Sequence, residues 1–243
     1  MQIMTSPRTV FPSKSGGISS NLISQLAVLA LKLRLKAQTD VTCDVTSRSA
    51  DLLLRGRVGP VTVRGKGWQS GLGLTCRAIE ATVDSCELDV PRLLSDQKLR
   101  LLQPALGKAM VALNAHDFSN FITHPLMKTL GDLQFVREGT SINATLGTVT
   151  FHVLKASQTF RCVLQRADNE QRRARIEVQG DDIDTALEIS QNLSDFFNDL
   201  VFELDGTFLS FRDMMVTGKG EAPSVMLALS IKVHKFPSAG LQF

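Results

Sequence analysis

"GLGLTCRAIEATVDSCELDV", residues 71–90, alternates apolar and polar positions, but not in one phase. Leu72, Leu74 and Cys76 share one parity, Ile79, Ala81 and Val83 take the other, and Cys86, Leu88 and Val90 return to the first. A period of two is that of a strand with one buried face. A slip of one residue turns every following side chain to the other face, and a β-bulge supplies such a slip. The stretch therefore predicts a long strand with two bulges, which bends and curls strongly.

The flanking sequence has the same texture. "DVTCDVTS" (40–47) and "ADLLLRGRVGPVTVRGKGW" (50–68) bring β-branched residues, punctuated by Gly56, Gly59 and Pro60. "LGKAMVALNA" (106–115) reads as a further strand. "HDFSNFITHPLMKTL" (116–130) is predicted helical, with Phe118, Phe121, Ile122 and Leu126 on one side. His124-Pro125 interrupts it, because the residue before proline avoids the helical region. Residues 131–143 read as a loop.

Three strands follow, "GTVTFHVLKA" (147–156), "TFRCVLQRA" (159–167) and "RARIEVQG" (173–180). "DDIDTALEISQNLSDFFNDL" (181–200) is predicted as a helix with Ile183, Leu187, Leu193, Phe197 and Leu200 on one face. "GTFLSFRDMMVTGKG" (206–220) and "PSVMLALSIKV" (223–233) close the chain as an antiparallel pair. Strands outnumber helices and no βαβ alternation occurs, so the fold class is α+β with antiparallel sheet.

The N-terminus differs from the rest. Residues 1–17 are rich in Ser, Pro and Gly and read as a disordered tail, leaving 18–243 as one domain with β-rich halves near 40–130 and 144–236. Ser19, Ser20 and Asn21 offer an N-cap. Leu22, Leu26, Leu29 and Leu33 then recur on one helical face, so Ile18 to about Ala37 is predicted helical. For its last residues, "LRLKAQ" (33–38), strict alternation leaves a strand as the alternative. Lys32, Arg34 and Lys36 give this segment a basic end.

Charge is unevenly spread. Residues 1–39 hold no acid and 5 of the 27 basic residues, which leaves 22 bases against 24 acids, a balance of −2, in the remainder. Residues 176–205 hold nine acids and no Lys or Arg. An apolar face beside cations suits an anionic membrane surface. No apolar stretch reaches the roughly 20 residues of a membrane span. Leu22 to Leu31 is followed by cations without a small-residue cleavage site, so export has no support from a signal peptide.

Catalytic and metal-binding constellations are thin. The glycines at 65, 67, 71 and 73 miss the dinucleotide spacing, and no nucleophile elbow or zinc-protease motif occurs. His116 and His124 are eight residues apart, over two helical turns. Asp181 to Asp184 lacks a calcium-loop spacing. Cys43, Cys76, Cys86 and Cys162 form no C-x-x-C pair and are expected as reduced, buried thiols. No aromatic RNA-recognition motif is present, so nucleic acid is not expected. One Trp and no Tyr argue against the aromatic girdles of a membrane β-barrel.

Three stretches together are similar to a known family: "GISSNLISQLAVLALKLRL" (17–35), the β-run ending in "CELDV", and "VALNAHDFSNFITHPLM" (111–127). They resemble the LmeA-like phospholipid-binding proteins over roughly residues 18–236. "DGTFLSFRDMMVTGKGEAPSVMLALSIKV" (205–233) resembles the cyanobacterial and plastid branch. The resemblance implies a tubular lipid-binding (TULIP-like) fold, a curved antiparallel sheet wrapped around helices with an apolar ligand in a groove. It implies phospholipid binding and envelope or thylakoid maintenance, without catalytic residues, metal or cofactor.

The expectation from sequence is therefore a non-enzymatic lipid-binding protein, peripheral to a membrane on its cytoplasmic or stromal face. Leu22, Leu26, Leu29, Leu33, Lys32, Arg34 and Lys36 are its expected membrane contacts, and Phe118, Phe121 and Ile122 its expected ligand contacts. The alternative is a scaffold or assembly factor that docks an unidentified protein through the N-terminal apolar helix.

Overall fold

The computed structural model describes residues 35–37, 39–46, 56–89, 91–92, 95, 100–125, 127, 131–167, 172–204, 206–218 and 223–235. These form a strand-rich α+β fold with antiparallel sheets. The large sheet contains β1 (Leu35–Ala37), β2 (Asp40–Val45), β4 (Val61–Ser70), β5 (Thr75–Val83), β7 (Ala105–Leu113), β12 (Val201–Leu204), β13 (Thr207–Thr217) and β14 (Ser224–Val233). Its order is β1-β4-β5-β7-β14-β13-β12, with β2 also paired to β4. A meander of β8 (Gln134–Asn143), β9 (Thr148–Lys155), β10 (Gln158–Arg166) and β11 (Ala174–Gln179) forms the second sheet. β3 (Arg57–Val58) and β6 (Cys86–Glu87) make a short separate ladder. Among the described residues neither large ladder closes on itself.

Period-two patterning builds the core between the sheets. Val149, Phe151 and Val153 from β9 meet Phe160, Cys162 and Leu164 from β10, all essentially inaccessible to solvent. Val225, Leu227, Leu229 and Ile231 of β14 face them across the same core. Arg166 Nη2 donates to Asp213 Oδ2 at 2.7 Å, tying β10 to β13.

Helix α1 (Ala115–Ile122) begins at a reciprocal cap. Asn114 Oδ1 accepts from the Asp117 amide at 2.8 Å, and the Asp117 carboxylate accepts from the Asn114 amide at 3.3 Å. The helix stops at Thr123, before His124-Pro125, as the sequence predicts. Helix α2 (Ile183–Asn198) is capped by Asp182.

Several expectations are corrected. Residues 35–37 are not the end of a helix: Leu35 pairs with Ser70 and Ala37 with Gln69 as strand β1. Their good helix propensity yields to backbone hydrogen bonds offered by the open edge of β4. The loop expected over 131–143 contains β8, whose polar sequence is that of an edge strand, with its register shifting around Gly139 at φ +79°.

The long bulged strand is two strands. Neither predicted bulge is present in its register. At the first slip, Leu74 and Cys76, like Ala81 and Val83, pack against the main core. The β4–β5 ladder keeps one register there, from Lys66↔Ala78 to Trp68↔Cys76, past Gly67 at φ +58°. The second is a break. β5 ends at Val83, and Cys86 joins β3 in a satellite core with Val58, Leu88 and Ala105.

On α2 the buried stripe is Ala186, Ile189, Leu193 and Phe197, whereas Ile183 and Leu187 are 72% and 64% exposed. β12 lies where the sequence reading placed no strand.

Candidate lipid-facing site

The three residues expected to line a groove lie together in the core. Phe118 and Ile122 are 0% and 1% exposed, and Phe121 is buried as well. The Phe118 ring stacks on Phe197 with centroids 6.4 Å apart, and Phe121 meets Phe202 edge-on at 5.9 Å. Phe151 stands 6.1 Å from Phe118. Aromatic side chains of α1, α2, β9 and β12 thus supply the neighbours that a ligand was expected to supply. Leu22, Leu26, Leu29, Leu33, Lys32 and Arg34 lie outside the described residues. Lys36 is exposed on β1, at the sheet edge.

α1 also brings together polar residues far apart in sequence. Thr75 Oγ1 donates to Asp117 Oδ1 at 2.5 Å. Asn120 Nδ2 reaches Thr75 Oγ1 and His116 Nδ1, both at 3.3 Å, and Arg137 Nη2 donates to Asn120 Oδ1 at 2.6 Å. Ser119 Oγ donates to the Arg137 carbonyl. This network pins α1 to β5 and β8. The nearby Cys76 thiol is pushed up to about 11 by burial and then by the Asp117 charge, which suits packing rather than nucleophilic attack. Cys162 is pushed up to about 12 by burial. All four cysteines are free thiols. Among the described residues no group of three His, Cys, Asp or Glu side chains is placed to hold a metal ion.

The molecule has two chemically distinct ends. At one lie the β4–β5 turn, the β7–α1 junction and the β13–β14 connection, because β5 starts, β7 ends, β14 starts and β13 ends there. The β8–β9 turn joins them: Gly218, next to Thr217, is so close to Ala144 that an added Cβ would stand 2.5 Å from the alanine methyl. Two hairpin tips at this end carry exposed leucines, Leu72 at 60% and Leu146 at 71%. His124 Nε2 lies 3.0 Å from the Leu72 carbonyl oxygen, bracing the first tip against the end of α1. Leu35, paired with Ser70, puts the start of β1, with the exposed Lys36, at the same end.

The opposite end of the second sheet is acidic. Lys155 Nζ pairs with Glu188 Oε1 at 2.9 Å, which sets the start of α2 beside the β9–β10 turn. Asp181, Asp182 and Asp184 are exposed there. The Asp182 carboxyl is held below its usual range by hydrogen bonds from the Thr185 hydroxyl and amide, so it is a firm anion at neutral pH.

Leu146 escaped the sequence reading, and Leu72, read there as an apolar position of a strand, is an exposed turn residue. Their signal is an apolar residue set in turn sequence, "GLG" and "ATLGT", where solvated tips ordinarily carry polar residues. Among the described residues no helix is long and apolar enough to cross a membrane. No family model, curated protein or solved structure matches this chain.

Proposed function

We propose that this chain is a non-enzymatic phospholipid-binding protein of the LmeA-like, tubular type, which meets anionic membranes with its hairpin-tip end. One observation carries the reading: Leu72 and Leu146 project at the end where the basic segment joins β1, while the acids at the start of α2 stand at the far end of the second sheet. Fully burying a leucine is worth about 1.5–3 kcal/mol, so two tips entering the interface give useful affinity. Cations beside them add attraction to anionic headgroups, and the distant acids turn the molecule tips-first.

The test is co-sedimentation with vesicles of phosphatidylcholine alone or with phosphatidylglycerol. The native protein is expected to bind the anionic vesicles. The double variant L72D/L146D is expected to lose at least tenfold in affinity while keeping its melting temperature, because both tips are solvent-exposed. Equal binding by native and variant proteins, or no binding by the native protein, overturns the proposal. Organic extraction of gently purified protein, followed by mass spectrometry, reads out bound phospholipid.

A further inference from the structure

Three thioethers gather on the outer side of the large sheet. Met215 of β13 stands directly opposite Met226 of β14. Met226 in turn stands opposite Ala112 of β7, and Ala228 opposite Met110, so Met226 and Met110 are diagonal neighbours. Directly opposed residues share a face, with Cβ atoms about 4.5–5.5 Å apart. Diagonal neighbours stand about 7–8 Å apart, still within reach of long side chains. The residues that alternate with them, Ala109, Leu113, Met214, Val225 and Leu227, belong to the inner core. The three methionines therefore point away from it: Met215 and Met110 are 51% and 37% exposed, and Met226 is half-buried.

The placement is selective. Met127 and Met214 lie in the core, where a flexible thioether fills gaps. The other three described methionines stand on one face of three neighbouring strands, β7, β14 and β13. The solvent side of an antiparallel sheet is ordinarily polar, so this grouping asks for a use. Ala112 and Ala228 hold the other two corners of the square that Met110 and Met226 make. Their methyl groups leave room above them for the longer side chains to lean together.

Charge around the trio is arranged to suit a cation. Glu80 stands opposite Met110 on its far side, exposed, with its carboxylate accepting from Arg64 Nη2 at 3.1 Å. The basic residues of the same three strands gather further along the face: Lys108 lies opposite Ser230, and Arg212 Nε donates to Ser230 Oγ at 3.0 Å. Ser230 is two outward positions from Met226, which leaves the thioethers between an acid and the distant cations.

We propose that Met110, Met215 and Met226 form a site for one soft monovalent metal ion of the copper(I) class. Thioether sulfur is a soft donor that selects Cu(I), whereas the hard divalent ions prefer carboxylate, carbonyl and water. The ladder fixes the three backbones, and three rotatable bonds in each side chain let the sulfurs converge. The rival soft donors are withdrawn: Cys43, Cys86 and Cys162 are buried and Cys76 is half-buried, all as free thiols. The inference goes beyond the membrane reading and does not rest on it.

Silver(I), a redox-inert ion of the same softness, is the probe. The full chain, labelled with carbon-13 at the methionine methyl groups, is titrated with silver nitrate in chloride-free buffer and followed by NMR. The Met110, Met215 and Met226 methyls are expected to shift together and to saturate at one ion per chain, with Met127 and Met214 unmoved. Magnesium should shift none of them. Met226→Leu keeps the apolar volume and removes the central sulfur, so the apparent affinity read at Met110 and Met215 is expected to fall at least tenfold. Methyls that shift independently without saturating, that respond only after the four thiols have been filled, or that keep native affinity in Met226→Leu overturn the proposal. If the Met214 methyl reports a disturbed core in that variant, the exposed Met215→Leu decides by the same reading at Met110 and Met226. The titration contains no vesicle, so it and the hairpin-tip experiment fail separately.

Discussion

Leu35 stands directly across from Ser70, so residues that spell a helix end are hydrogen-bonded into the large sheet as its edge strand. This pairing anchors the N-terminal segment at the end of the molecule that carries the hairpin tips. It also places Lys36 on the sheet edge, one residue from that anchor.

Charge reversal tests the basic segment. Each cation near an anionic surface is worth about 1 kcal/mol, so K32E/R34E/K36E is expected to weaken binding to phosphatidylglycerol vesicles roughly a hundredfold or more. Binding to neutral vesicles should change little. Salt should reproduce the effect in the native protein, since exposed charges are screened beyond about 8–10 Å at physiological ionic strength. Binding to anionic vesicles that ignores both charge reversal and salt removes these cations from the interface.

Phe118 separates core from ligand contact. With Phe197 stacked on it and no exposed surface, Phe118→Ala is expected to cost about 3–5 kcal/mol in denaturant unfolding. A variant of native stability that no longer carries extractable lipid would instead assign the ring to a ligand.

The face of α2 is open to a paired measurement. Ile189 is fully buried and Leu187 is 64% exposed. Ile189→Ala should cost about 2–5 kcal/mol. Leu187→Lys should stay within about 0.5 kcal/mol of native stability. The reverse order would mean that α2 is rotated from the position described.

The cap of α1 can be weakened alone. Asn114→Ala removes the acceptor for the Asp117 amide and should cost about 0.5–2 kcal/mol by thermal or denaturant melting. Amide exchange at residues 115–118 should rise before exchange in β9 and β10 does.

The buried thiols give an alkaline limit. Cys76 and Cys162 are raised from 9.0 to about 11 and about 12, chiefly by burial. A folded-state pKa above the unfolded value gives stability that is fully present below pH 9.0 and lost as pH rises through about 11 and then 12. With no Tyr in the chain, tyrosine ionisation does not overlay this window. Unfolding free energy should therefore fall between pH 9 and 12 more steeply in the native protein than in Cys162→Ala. Identical slopes would show that Cys162 titrates normally.

Much of the fold was written in local patterns. Alternation in residues 147–156, 159–167 and 223–233 marks β9, β10 and β14, because a strand with one buried face repeats every second residue. Asn114, the apolar stripe after it and His124-Pro125 delimit α1, because caps and proline act over a few residues. Phe118, Phe121 and Ile122 were legible as one apolar face; whether that face meets protein or ligand depends on what lies opposite.

Other features depend on partners distant in the chain. Residues 35–37 become strand because β4 offers an unpaired edge, and 134–143 become strand because β9 does. The buried stripe of α2 is chosen by where β11 and β13 stand, so Ile183 and Leu187 are left outside although their spacing suits a core face. The hairpin-tip end exists only because strand pairing brings the turns at Leu72 and Leu146 together from opposite sheets. Local sequence determines which way a residue's neighbours point along its own element. Register, edge and the joining of ends are long-range hydrogen-bonding and packing choices, and those the tertiary structure alone decided.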